Sequence, residues 1–320
     1  MNDYLAPPWL VGGNAQTIWP ALLGRSYRGL RPTFRRERWP TPDGDFIDVD
    51  WQGDDPQAPL LVLFHGLEGS STSHYALAFA DWARARGWRY AVPHFRGCSG
   101  ELNVAPRAYH SGDHEEVAWM LARFRALHEG AIVAVGISLG GNALLRFAEE
   151  AGEGAAKSVR AIAAVSAPLD LAAAGHAIGT GGNRFYTRVF LQTLKPKALQ
   201  MAARFPALLD AERIRSVRSM WEFDDAVTAP LHGFEGADDY WSRGSSKHWL
   251  AHIDVPTLVL NALNDPFIPA GSLAQPGETS AAVTLEQPPE GGHAGFVTGR
   301  MPGRLDWLPR RLAQFFADNV

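Results

Sequence analysis

Several features are scarce in this 320-residue sequence, and each scarcity closes off a class of protein. There is one cysteine, Cys98, which excludes an intrachain disulfide framework and suits a reducing compartment. No stretch of 18 uninterrupted apolar residues occurs, so no transmembrane helix is expected. The opening segment, MNDYLAPPWLVGG, lacks a basic region followed by a long apolar core and does not read as a signal peptide. Positive charge is not in excess. A net charge of −4 and a pI near 6.3 argue against nucleic acid as a partner. The eleven histidines form no His-Glu-x-x-His or Cys/His finger spacing, so neither metal nor cofactor is expected. Internal repeats and low-complexity tracts are lacking as well. What remains is a soluble cytoplasmic chain, sized for one α/β domain with an insertion.

The hydrophobic pattern fills in that outline. Residues 1–33, rich in Pro, Gly and Trp, place Ile18, Trp19, Leu22 and Leu23 at helical spacing, which predicts a short amphipathic helix in an arm packed on the core. The alternatives for the arm are a lip on a substrate entrance and a face that touches a membrane. Thr33 to Trp39 and Phe46 to Trp51 read as an antiparallel hairpin. Ile47, Val49 and Trp51 point inward there, and Asp48 and Asp50 toward water. From Leu60 onward strands and helices alternate. The strands are Leu60–His65, Trp88–Pro93, Ala131–Ile137 and Ala161–Ser166, then Pro256–Asn261 and Val283–Gln287, with a closing helix at Leu305–Ala317. Such alternation implies a mostly parallel sheet with helices on both faces. Asp113, with Glu116 three residues on, marks a capping box for the helix that runs to about His128.

Residues 169–252 break this rhythm, with helical segments at Tyr186–Leu194, Pro196–Phe205 and Ala211–Arg218 and irregular stretches bearing Trp221, Phe223, Phe234, Tyr240 and Trp241. The segment is too long for a connection and too apolar for a disordered linker. It is expected to be a helical cap inserted into a core made of residues 1–168 and 253–320.

Within the alternation, AIVAVGISLGGNALLR (131–146) runs from an apolar strand through Gly136-Ile137-Ser138-Leu139-Gly140 into helix formers. Gly-x-Ser-x-Gly between strand and helix is the nucleophile elbow of α/β-hydrolases. Ser138 sits on a tight turn, and its glycine neighbours let strand and helix approach. A serine hydroxyl needs a base, and the base needs a group to fix its tautomer. In this fold they follow in the order acid, then histidine. Asp265 lies just past the strand that follows the insertion. His293, in Gly291-Gly292-His293, lies on the loop after the last strand. Ser138, Asp265 and His293 are therefore the expected catalytic residues. The backbone N–H groups of Leu67, after the first parallel strand, and Leu139 are the expected oxyanion hole.

Other residues carry weaker readings. Arg96, Arg107, Tyr109 and His110 are read chiefly as loop scaffolding, Asn142 as a brace for the elbow, and Glu68 as a salt-bridge former within its loop. Cys98 has no His/Asp arrangement of its own and is not read as a nucleophile.

The chain also resembles the YheT-like hydrolases, related to ABHD1/ABHD3-type lipid hydrolases and to the yeast medium-chain fatty-acid ethyl ester synthase/esterases. The resemblance rests on Gly13-Asn14-Ala15-Gln16-Thr17-Ile18, Phe64-His65-Gly66-Leu67-Glu68-Gly69-Ser70, Phe95-Arg96-Gly97-Cys98-Ser99-Gly100-Glu101, Tyr109-His110-Ser111-Gly112, Gly136-Ile137-Ser138-Leu139-Gly140-Gly141-Asn142 and Asn264-Asp265-Pro266-Phe267. The insertion adds Phe223-Asp224-Asp225 and Asp239-Tyr240. It implies an α/β-hydrolase fold, a Ser-Asp-His triad at the three positions above, and ester or lipid substrates. Where the family often has Asp-Asp-Pro, this chain has Asn264-Asp265-Pro266, which singles out Asp265 as the acid.

The leading expectation is a serine esterase for short- to medium-chain acyl esters, acting through an acyl-enzyme. An acyltransferase using an alcohol acceptor at the same site is the first alternative. A non-catalytic binding protein on a hydrolase scaffold is the second.

Overall fold

Among the residues described by the computed structural model (4–319), eight strands form one sheet. They are β1 (Arg35–Pro40), β2 (Phe46–Gln52), β3 (Leu60–Phe64), β4 (Arg89–Pro93), β5 (Ile132–Ile137), β6 (Ala161–Val165), β7 (Thr257–Leu260) and β8 (Val283–Glu286). Their order in space is β1-β2-β4-β3-β5-β6-β7-β8. β1 and β2 are antiparallel to their neighbours, and every pairing from β4 to β8 is parallel. The central strands β3, β5 and β6 are buried along their whole length, as a sheet covered on both faces requires.

The helices are α1 (Gly13–Leu22), α2 (His74–Arg84), α3 (His114–Leu127), α4 (Leu139–Ala151), α5 (Leu171–Ile178), α6 (Arg184–Arg204), α7 (Ala211–Ser216), α8 (Met220–Phe223), α9 (Ala229–His232), α10 (Ala237–Gly244) and α11 (Trp307–Ala317). One face of the sheet buries Trp39, Phe64 and Val62 with Phe124 of α3 and Leu144 and Phe147 of α4. The other buries Leu63, Tyr90 and Val135 with Phe79 and Trp82 of α2 and Leu312 and Phe316 of α11. Helices α5 to α10 lie between β6 and β7. Their buried Leu191, Leu194, Met201, Ile214, Tyr240 and Trp241 form a separate apolar cluster.

Four local expectations differ from what is observed. The outward face of β2 is not wet: Asp48 and Asp50 are 2% and 4% exposed. Arg38 and Arg36 of β1 grip them in two-pronged ion pairs, and Ser99 and Ser71 donate hydroxyl protons to them. In α1 the buried side chains are Gln16, Thr17 and Pro20, whereas Leu22 is 74% exposed, because the polar pair is hydrogen-bonded to a neighbouring loop. The capping box at α3 is half made. Asp113 accepts from the Glu116 N–H, but the Glu116 carboxylate turns away to Arg96. Finally, α6 runs unbroken through Pro196, where two segments had been expected. Leu191, Leu194, Ala198 and Met201 lie along its buried face, and that burial outweighs one lost backbone hydrogen bond.

Candidate active site

Ser138 joins β5 to α4 with φ 54° and ψ −120°, left-handed for a residue with a Cβ. Its N–H donates to the Val165 carbonyl of β6 at 2.8 Å, and its carbonyl accepts from the Gly141 and Asn142 N–H groups. Glycine is obligatory on both sides. A Cβ at position 140 would lie 2.5 Å from the Phe64 and His65 carbonyl oxygens, and one at 136 would run into the Gly140–Gly141 backbone. Asn142, fully buried, ties this turn outward. Its Nδ2 donates to the carbonyls of Ser111 (2.8 Å) and Gly244 (2.7 Å), and its Oδ1 accepts from the Ser246 N–H.

Asp265 follows β7 and its side chain is fully buried. Oδ1 accepts from the Phe267 N–H at 2.8 Å, and Oδ2 lies 2.8 Å from His293 Nδ1. A proton on Nδ1 held by that carboxylate leaves Nε2 as the imidazole's free acceptor. The Phe267 ring lies 4.3 Å from the imidazole, centroid to centroid, and walls off one side of it.

His293 is carried on a loop whose backbone is pinned residue by residue. The N–H groups of Gly291, Gly292, His293 and Ala294 donate to Gln16 Oε1, Asn264 Oδ1, Thr17 Oγ1 and Ser166 Oγ, at 2.9, 3.0, 2.9 and 3.0 Å. Two of these acceptors come from α1. An arm that only packs on the core, as its sequence leads one to expect, would not have this role. The signal available in the sequence is the set of polar residues Asn14, Gln16 and Thr17 at the start of this helix. Gly13 belongs to the same contact, since a Cβ there would collide with the Asn264 carbonyl.

Ser138, His293, Leu67 and Leu139 line one cavity of about 180 Å³; Asp265 sits behind His293. The rest of the wall is largely apolar, with Leu171, Leu194, Met201, Phe223, Val227 and Trp241 from the helices between β6 and β7. Among the described residues, neither the Leu67 nor the Leu139 N–H is taken by another protein group, while the flanking Glu68 and Gly69 N–H groups are. Gly66 packs against the serine: a Cβ there would lie 3.2 Å from that of Ser138.

The remaining polar residues divide clearly. Arg96, Tyr109 and His110 reach the cavity wall, and Arg107 does not. Arg96 is spent on Asp43, Asp45 and Glu116. His65 is wholly buried, donating from Nδ1 to the Gly66 carbonyl and accepting at Nε2 from the Phe95 N–H, and burial pushes it down to about 3. Burial also pushes the Cys98 thiol up to about 12, so it is not a thiolate at neutral pH. Glu68 forms its salt bridge outside its own loop, with Lys197 Nζ on α6 at 2.8 Å. Asp224 sits in the cavity wall, accepting from Thr228 Oγ1 (2.6 Å) and Trp241 Nε1 (2.8 Å), and burial raises it to about 6.

Comparison with known proteins agrees with this architecture. A family profile described as the alpha/beta hydrolase fold matches residues 59–300. The chain belongs to the α/β-hydrolase family, and it is a hydrolase. More particularly, it is 39% identical over 303 residues to YheT of Escherichia coli (strain K12), covering 93% of this chain and 88% of that protein. To phospholipase ABHD3 of Mus musculus it is 28% identical over 322 residues, covering 94% and 78%. Among solved structures, the Pyrococcus furiosus esterase Pf2001 shares the fold with a TM-score of 0.56 at 13% identity, over 92% of this chain and 98% of that one. Among the described residues no helix is long and apolar enough to cross a membrane.

Proposed function

We propose that the protein is a serine esterase acting on carboxylic esters through Ser138, His293 and Asp265. In this reading His293 Nε2 takes the Ser138 Oγ proton as the oxygen attacks the ester carbonyl. The N–H groups of Leu67 and Leu139 hold the resulting oxyanion. His293 then gives its proton to the departing alcohol, leaving an acyl-Ser138 ester. Water, deprotonated by His293, attacks that ester and releases the acid. Asp265 keeps the proton on Nδ1 throughout and stabilises the imidazolium when it forms.

The observation that carries the reading is the 2.8 Å contact between Asp265 and a histidine that shares a cavity with a strained serine. Two free N–H groups bordering that cavity support it. Residues 169–252 act as a cap over the core of residues 1–168 and 253–320. The apolar side chains they place in the cavity favour a short- to medium-chain acyl group. The name of the ABHD3 relative adds phospholipids to the esters worth testing.

A panel of p-nitrophenyl esters of increasing acyl length, assayed on the wild type and on Ser138→Ala, tests this. Turnover should peak at short to medium chains and vanish in the variant. Equal hydrolysis by both proteins would exclude Ser138 as the nucleophile.

A further inference from the structure

Glu68 is an awkward residue to find where it is. It directly follows Leu67, holds φ at 57°, and borders the cavity that Ser138 borders. Its carboxylate is a negative charge on the residue next to the N–H that the esterase reading assigns to the oxyanion, and a like charge at that cavity opposes the reaction. Three groups meet it, of which the Cys98 thiol, 3.9 Å from Oε1, is the weakest donor. Tyr109 forms a two-way clamp, accepting from the Glu68 N–H and donating to Glu68 Oε1, each at 2.9 Å. The Tyr109 ring is itself stacked on Phe95, 5.4 Å between centroids and 10° between planes. Lys197 Nζ supplies the countercharge, 2.8 Å from the same oxygen.

The tyrosine and the lysine have different origins. Tyr109 belongs to the core. Lys197 belongs to α6, and its neighbour Lys195 faces the other way, donating to the Arg215 and Val217 carbonyls within the same group of helices. Other bonds also tie these helices to the core, such as Asn183 to the Pro266 carbonyl and Arg204 to the Asn103 carbonyl. The Lys197 contact differs from those in ending on the residue next to a free N–H of the cavity. The other cation in the cavity wall, Arg96, is committed to three carboxylates.

We propose that Lys197 and Glu68 are a positioning pair that makes acylation depend on α6 being seated on the core. With α6 in place the ammonium cancels the carboxylate, and Leu67 faces the oxyanion in a neutral setting. With α6 displaced, Glu68 stays fixed by Tyr109 and its charge stands against the oxyanion. Chemistry is thereby confined to the closed, water-poor state. The proposal rests on the esterase reading and adds to it a link between the helices over the cavity and the rate of the chemical step.

Charge rescue tests the pair. Lys197→Met should lower kcat for a p-nitrophenyl ester by about tenfold or more while KM changes by less than about threefold. Adding Glu68→Gln to it should restore kcat to within about threefold of wild type, because Gln keeps the oxygen that accepts from Tyr109 and drops the charge. Glu68→Gln alone, which leaves the ammonium unopposed, should match or exceed the wild-type kcat. A role in packing alone predicts the reverse: no rescue in the double variant, and a loss in Glu68→Gln. Either of those results, or a Lys197→Met enzyme with wild-type kcat, overturns the proposal; if Lys197→Met does not fold, Lys197→Gln with and without Glu68→Gln is read in the same way. Ser138→Ala run alongside separates the two levels. If it is inactive and the rescue fails, the pair is wrong and the esterase reading stands; if it retains wild-type turnover, both fall.

Discussion

Each residue of the proposed triad is held in place by hydrogen bonds with its neighbours. Asp265 does this for His293 by holding the proton on Nδ1. In Asp265→Asn the amide can present an N–H to that nitrogen and favour the wrong tautomer. The expected loss is about ten-thousandfold in kcat with the fold retained, measured by ester turnover alongside circular dichroism. A kcat within tenfold of wild type would remove Asp265 from the mechanism. Asn142 acts on the serine side, satisfying two carbonyls and one N–H in a fully buried place. Asn142→Ala strands all three and should cost about 2–4 kcal/mol of stability, read from denaturant melts. The three positions of the proposed triad were legible in the sequence because the chemistry proposed for them fixes residue type and chain order. The four acceptors that pin the His293 loop were not. Gln16, Thr17, Asn264 and Ser166 are ordinary polar residues from three distant segments, and only the fold brings them together.

At the scale of elements, the parallel strands supply the geometry and the helices between β6 and β7 supply the cavity wall. Gly66, Ser138, Asp265 and His293 each follow the C-terminal end of a parallel strand, where an open α/β sheet gathers its functional groups. Periodicity made those strands readable, since buried parallel strands are continuous apolar runs. In the insertion it marked α6 and α7 but not the other helices. Helices α5, α8, α9 and α10 are short, and Phe223, Tyr240 and Trp241 face the cavity as well as the apolar cluster, so no single stripe marks them. It also misjudged β2, whose acidic face is covered because β1 brings arginines to it. The readable part of α6 yields a test of the acyl pocket. Ala198 lines the cavity. Ala198→Trp should cut kcat/KM for octanoyl esters by about 10- to 100-fold and leave acetyl esters nearly unchanged. A uniform loss across the panel would place the acyl chain elsewhere.

Over the whole molecule, buried titratable groups set how the fold responds to acid. Burial holds His65, His110 and His232 at about 3 and His74 and His94 at about 4. The unfolded chain takes up a proton on each near 6.5, so the stability they represent is complete above that pH and is lost as pH falls toward 4. Glu116, Glu149 and Asp224, raised by burial to about 7, 8 and 6, act oppositely and favour the folded state as pH falls through those values. The histidines outnumber them. Between pH 6 and 4.5 stability should drop by about 3 kcal/mol per unit, from about two net protons, with Tm falling accordingly. A Tm that is flat or higher at pH 5 would contradict this burial pattern. The proposed mechanism requires that residues at strand ends far apart in sequence act together on one serine, Ser138. The most direct test of it is intact-mass and peptide analysis after treatment with a fluorophosphonate. The account predicts one adduct per chain, on Ser138, formed slowly or not at all in His293→Ala. An adduct on another residue, or unchanged labelling of Ser138 without His293, would contradict it.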